Sequence, residues 1–174
     1  DDVLEKLIGI IGEGYSAINI DGEWYGSLDV LTSNSGYWML ANEELDFVYE
    51  QLTLSRETIA PTENTPLYGF EYEQSTQQSF YFIKTSNISA VDPENSWIVA
   101  YNGNVVVGAR KISGEMIDIP VMGYDVSDRS SYCNEGDIPT FKLYNEMSGE
   151  LVSLYGENIQ PFTPQGVNIL SGLV

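Results

Sequence analysis

Histidine is absent from the 174-residue chain, and cysteine occurs once, at Cys133. The first absence removes the commonest general base and the commonest transition-metal ligand. The second forbids a disulfide within the chain and leaves Cys133 as a small apolar side chain, buried, free or used between chains. Positive charge is scarce: 7 Lys and Arg stand against 26 Asp and Glu, a formal charge of −19. Nucleic-acid binding rests on a basic footprint that is missing here, and an anionic membrane surface would repel the chain. No apolar run reaches the ~18 residues of a membrane-spanning helix, so no membrane insertion is expected. Strong negative charge favours solubility and suits a saline exterior, where salt screens self-repulsion.

Catalytic signatures are missing as well. A serine nucleophile has no histidine to activate it, and Lys84 and Lys142, the bases of a Ser-Lys alternative, both fall in strand-like stretches with no nucleophile elbow nearby. The glycines of "GIIGEG" are irregularly spaced and lead into no helix pattern, so they are not a phosphate cradle. Among 26 acids some pair of carboxylates is always close, so Glu13, Glu23, Glu71 and Glu73 do not single out a glycosidase pair. The chain reads as a non-enzyme.

What is present is β pattern. Hydrophobic residues make up 43% of the chain and aromatics 12%, enough for a sizeable core. Asp1 and Asp2 ahead of Val3, Leu4, Leu7 and Ile8 predict one short N-terminal helix, ended by Gly9 and Gly12. "SAINIDGEWYGSL" predicts a hairpin, with Asp21-Gly22 as a type I′ turn and Ser16, Ile18 and Ile20 on one face. "SGYWML" adds a strand, while "NEELDFVYEQLTL" suits either a strand or a helix start. Residues 55–69, with Pro61, Pro66 and many Thr, Asn and Glu, form the best linker. Beyond it "QSFYFIKTS", "EMIDIPVMGYD" and "PTFKLYNEMSGELVSLY" read as strands, and "SWIVAYNGNVVVGAR" as a hairpin turning at Asn102-Gly103. The expected fold is all-β, antiparallel and sandwich-like. A small β unit with its helix occupies 1–54, the linker 55–69 and a β-sandwich unit 70–174.

Three constellations are candidate sites. Asp125, Asp128 and Asp137 lie in the oxygen-rich loop Gly123–Pro139, a candidate for calcium, although EF-hand spacing is absent and Arg129 opposes a cation. The alternative is an ordinary solvated loop. Trp24, Trp38 and Trp97, with neighbouring tyrosines, are a candidate ligand platform of the sugar-stacking kind, against the plainer reading of core aromatics. The apolar end "GVNILSGLV", with Val167, Ile169, Leu170 and Leu173, is a strand in need of cover and a candidate assembly element. Asn87-Ile88-Ser89 matches a glycosylation sequon by pattern.

Two stretches carry a resemblance. "IIGEGYSAINIDGEWYGSLDVLTSNSGYWML" is similar to a repeat module of large secreted or surface proteins of marine and Bacteroidetes-type bacteria and of marine phage, patterned IIGEG, Ala, W-x-G-S-L and S-G-Y-W. Those positions are Ile10–Gly14, Ala17, Trp24, Gly26–Leu28 and Ser35–Trp38, with Tyr25 where the family more often has Val. "SWIVAYNGNVVVGARKI" with "IDIPVMGYD" resembles a companion module. The resemblance implies a non-catalytic part of an exported protein, often in tandem, with no catalytic residues to carry over. In that family a G-W-N-L-I-S strand precedes the motif; here "GVNILS", Gly166–Ser171, fits it at the other end. Since the chain starts at Asp1 rather than Met, it is expected to be a processed protein or a piece of a larger one.

The expected role is therefore an extracellular or cell-surface structural module (alternatively on a virion surface). It would join copies of itself into an array, filament, stalk or appendage by strand addition, the tail entering its own or a neighbour's sheet. The alternative is an adhesion module for carbohydrate or a receptor.

Overall fold

The computed structural model describes residues 6–33, 35–45, 67–88, 92–125 and 131–174. Among the described residues, eleven strands form three sheets. The first sheet takes β1 (Leu7–Ile11), β2 (Ser16–Ile20), β3 (Glu23–Gly26) and β4 (Trp38–Ala41), in the order β3-β2-β1-β4. The second takes β5 (Gln78–Lys84), β8 (Met116–Met122) and β11 (Gly166–Ile169), in the order β11-β5-β8. The third takes β6 (Ser96–Asn102), β7 (Val105–Lys111), β9 (Thr140–Asn145) and β10 (Leu151–Leu154), in the order β10-β9-β6-β7. The protein is thus almost wholly β, and its ladders are antiparallel apart from β11, which runs parallel to β5.

The β5–β8–β11 sheet is the middle layer. Alternate residues of a strand face opposite sides, and β5 and β8 use both. Tyr81, Ile83, Ile117, Ile119 and Val121 join Ile98, Val107, Phe141 and Leu143 of the third sheet in the main core. Phe80, Phe82 and Met116 point the other way, into a second core with Ile11 and Ile18 of the first sheet. Double burial explains why "SFYFI" and "MIDIPVM" read as nearly continuous apolar runs instead of alternating ones.

The outer layers meet the middle one by different means. β7 and β8 approach at Gly108 and Pro120: a Cβ on Gly108 would lie 1.8 Å from the Pro120 carbonyl oxygen. Pro120 has no N–H to give a ladder, so this edge of β8 packs against β7 rather than extending its sheet. The first sheet instead lays the Ile11, Ile18, Ile20 and Leu40 face on Phe80 and Phe82.

Two sequence expectations are corrected. Leu7 and Ile8 are not the last turn of a helix but open β1, which pairs with β2 on one side and β4 on the other; Lys6, just before it, is helical, and residues 1–5 of that expectation lie outside the described residues. A short apolar run suits helix or strand equally, and here two flanking ladders decide it. The second hairpin does turn where Asn102-Gly103 signals, but Asn102 is the last paired residue, opposite Val105, and the loop is Gly103-Asn104 with Gly103 at φ +59°. Glycine at the first loop position is the type II′ arrangement. At the first hairpin both Asp21 (φ +54°) and Gly22 (φ +91°) adopt positive φ, as a type I′ turn requires. Of the expected linker, 55–66 lies outside the described residues, while Leu67 is buried in a cluster with Trp97 and Val99.

Candidate functional site

Buried polar residues cluster where the first sheet meets the middle one. Asp118, on β8 between Ile117 and Ile119, is 1% exposed. Its Oδ2 accepts from the Ser16 amide (3.1 Å), the Ser16 hydroxyl (2.9 Å) and the Ser27 hydroxyl (2.7 Å). Arg110, on the neighbouring β7, places Nη2 3.3 Å from the same oxygen. Its Nε donates to the Asp118 carbonyl at 2.8 Å, and Nη2 donates to the Gly14 carbonyl at 2.8 Å. The guanidinium also lies 5.7 Å from the centroid of the Tyr15 ring. Burial pushes the Asp118 carboxyl up, while Arg110, Ser27 and Ser16 pull it down.

Gln78 on β5 does the same work one strand away. Its Oε1 accepts from the Gly14 amide at 3.1 Å and its Nε2 donates to the Gly12 carbonyl at 2.7 Å. The turn Gly12–Tyr15 is therefore held by side chains from both other layers. Gly26 faces it: φ is +127°, and a Cβ there would lie 2.2 Å from the Ser16 carbonyl oxygen. The Leu28 amide then donates to that same carbonyl at 3.0 Å. In the S-G-Y-W stretch the Tyr37 hydroxyl accepts from the Thr32 amide at 2.8 Å, and its ring covers Gly12. The glycines and serine of "IIGEG" and "WYGSL" thus dock one sheet on another.

Beside this cluster a cleft of about 690 Å³ opens between β3 and the β7–β8 turn. Trp24, Tyr25 and Trp97 line it, with Asp29, Lys111 and Glu115, and Arg110 and Asp118 at its inner end. The Tyr25 hydroxyl donates to Glu23 at 2.5 Å, a bond that pushes the phenol pKa up. Lys111 pairs with Glu146 at 3.4 Å. Trp97 is nine-tenths buried in a cluster with Leu67 and Val99, and among the described residues its Nε1 has no hydrogen-bond partner.

The structure brings Trp24 and Trp97 together but not Trp38. β3 and β4 are opposite edges of the first sheet, and Trp38, 46% exposed, stands on the far one. The acidic loop is divided. Asp137 caps its own turn, Oδ2 accepting from the Asn134 amide at 2.8 Å; Asp125 Oδ2 accepts from Ser75 at 3.3 Å; Asp128 lies outside the described residues. Among the described residues no three acidic, His or Cys side chains gather as a metal would need. Asn87 of the sequon is exposed, and its side-chain amide donates to the Ser171 carbonyl at 2.9 Å.

The tail pairs within its own chain, Gly166 to Ile169 opposite Ser79 to Phe82. Val167 packs on the second core, Leu170 and Leu173 are buried in the main core, and Ile169 is half exposed. Sequence reading missed Arg110, Asp118 and Gln78. The available signal was a single charge flanked by isoleucines in "MIDIPVM", which a buried strand tolerates only when the charge is paired. Comparison with protein-family models, with curated proteins and with solved structures gives no match.

Proposed function

We propose that the protein is a non-catalytic structural module that joins copies of itself edge to edge, as an extracellular or surface component. One observation carries the reading: both outer sheets end in strands without a charge. β4, Trp-Met-Leu-Ala, borders the first sheet, with Trp38 46% and Met39 36% exposed. β10, Leu-Val-Ser-Leu, borders the third, with Leu151 39% and Val152 44% exposed. Among the described residues neither has a partner on its outer side. Monomeric proteins usually blunt such edges with lysine, proline or a bulge, because a bare edge templates pairing with another chain.

The two edges lie in the two outer layers, on opposite sides of the middle sheet. Joining β4 of one copy to β10 of the next is heterologous, so the contact propagates instead of closing on itself. The tail, paired with β5, is not required as the donated strand. A net charge of −19 opposes the association of copies until salt screens it, which fits a saline exterior.

Electron microscopy and light scattering of the chain in low and high salt test the reading. Assemblies that lengthen with salt are expected, and Met39→Lys or Val152→Lys should return them to monomers. A chain that stays monodisperse and monomeric across salt and concentration contradicts it, as does a polymer indifferent to both lysines.

A further inference from the structure

We propose that the groove between the first sheet and the outer edge of β11 binds an extended basic peptide of a partner protein, which adds to the middle sheet as a fourth strand. The first sheet has four strands and the middle sheet three. β3 lies against β8, where the Ser27 hydroxyl, just beyond β3, reaches Asp118. β1 lies over β11: a Cβ on Gly9 would stand 4.0 Å from a Val167 methyl and 3.7 Å from Leu40. β4, on the other side of β1, therefore reaches past β11. Among the described residues no strand pairs with the outer side of β11. A strand added there, at the usual spacing of about 4.8 Å, would lie beneath β4.

The space that such a strand would enter has a matching lining. A groove of about 400 Å³ is walled by Ile8, Ile18, Ile20 and Leu40 of the first sheet and by Val167 and Ile169 of β11. Ile8 is 45% and Ile169 50% exposed, on opposite walls. A bare strand edge beside an apolar groove is what strand addition uses: backbone bonds hold the peptide, and alternate side chains fill the groove. An acyl chain would match the groove alone, whereas a peptide matches both the groove and the edge.

Charge selects among peptides. Among the described residues, the charge in the lining comes from Asp21. Lys6, at the start of β1, is paired with Glu43 at 3.3 Å and is not part of the lining. Near Asp21 the Tyr25 phenol is pushed up, first by its bond to Glu23, then by desolvation and by the charges of Glu23, Glu115 and Asp21, so negative potential builds up at this end of the groove. With −19 on the whole chain, an acidic strand is repelled and a basic one is drawn in. A second copy would bring a further −19 to the same place, which disfavours it as the occupant. The edge-to-edge contact uses the outer sides of β4 and β10, so the two readings stand apart.

Fluorescence-anisotropy titration with labelled synthetic peptides tests the proposal. The probe alternates valine and threonine, with lysine at both ends. One control carries glutamate in place of lysine. The other carries proline in place of the central threonine, which removes a backbone donor. The lysine peptide should bind, and both controls should bind at least about tenfold more weakly. Ile8→Ser and Ile169→Ser, at half-exposed positions, should each weaken binding about tenfold. Asp21→Asn, which keeps a residue tolerant of φ +54°, should weaken it up to about fivefold in low salt and less in high salt. Val152→Lys, which blocks the β10 edge, should bind as the parent does, so the test stands whether or not copies join edge to edge. Thermal melts separate loss of binding from loss of fold, and Asp21→Asn carries the test if either isoleucine variant melts early. The proposal fails if the lysine peptide does not bind, if either control binds as well, or if Ile8→Ser and Ile169→Ser keep the parental affinity. It also fails if a fatty acid fills the groove in place of the peptide, or if the parent forms dimers that Ile169→Ser disperses, because the occupant is then an acyl chain or a second copy.

Discussion

Arg110 Nη2 lies 3.3 Å from Asp118 Oδ2, and between them these two side chains touch all three layers. Arg110 comes from the third sheet and Asp118 from the middle one, while Ser16, which donates to Asp118, and Gly14, whose carbonyl accepts from Arg110, come from the first sheet and its turn. Forming a buried ion pair gains little over an apolar substitute, but removing one member leaves a buried charge uncompensated. Asp118→Ala and Arg110→Ala should therefore each lower the unfolding free energy by about 3–5 kcal/mol. The double variant should lose less than the sum, with a coupling of about 0.5–3 kcal/mol. Urea denaturation of the four proteins measures this; additive losses contradict the pairing.

The approach of β3 to β2 makes a separate demand. A Cβ on Gly26 would lie 2.2 Å from the Ser16 carbonyl oxygen, at a φ of +127° that side chains avoid. Gly36 has ordinary φ and open space around its Cβ direction. Gly26→Ala is expected to destabilise by more than the roughly 1 kcal/mol typical of a point change, through strain and through displacement of Ser16 from Asp118. Gly36→Ala should be close to neutral. Equal midpoints in thermal melts of the two variants would count against the close approach.

Local chemistry and long-range geometry differ in how far they can be read from the sequence. The first hairpin is legible because Asp21-Gly22 supplies two residues tolerant of positive φ between strands of matching pattern. The ladder between β11 and β5 is not legible, because it joins Gly166 to Ser79 and nothing near either residue announces a parallel partner. The apolar character of Trp24 and Trp97 was visible, but their meeting in one cleft depends on stacking the first sheet over β8, a fact of tertiary packing. Asp118 counted as one of many acids until its burial separated it from the rest.

Cys133 should behave as an inert thiol. It is 1% exposed, and burial pushes its pKa up to about 12, with Asp137 adding to the shift. Thiolate is the reactive form, so iodoacetamide at pH 8 should label the folded chain far more slowly than the same chain in denaturant. The folded thiol holds its proton where the unfolded thiol has lost it, so this contribution to stability is complete below the ordinary thiol pKa. It declines as pH rises from there toward about 12. Cys133→Ala should accordingly lose less melting temperature than the parent between pH 8 and pH 10. Rapid labelling of the native protein contradicts the assignment.

Placement of the tail changes what its removal should do. A strand waiting for a neighbour could be deleted and still leave a folded subunit. β11 instead pairs with β5, while Leu170 at 4% exposure and Leu173 at 0% fill the main core. Deleting Gly166–Val174 removes a ladder and two core side chains together, so the truncated chain should lose its cooperative unfolding transition as well as any assembly. Leu173→Ala alone should cost about 2–5 kcal/mol. Ile169→Ala, at a half-exposed position, should cost well under that. Adding the nine-residue peptide to the truncated chain should restore the transition, because the groove on β5 accepts the strand whether or not it is covalently attached. A truncated chain that melts as sharply as the parent would show that the tail is not part of this core, and would return it to the role of a strand offered to another subunit.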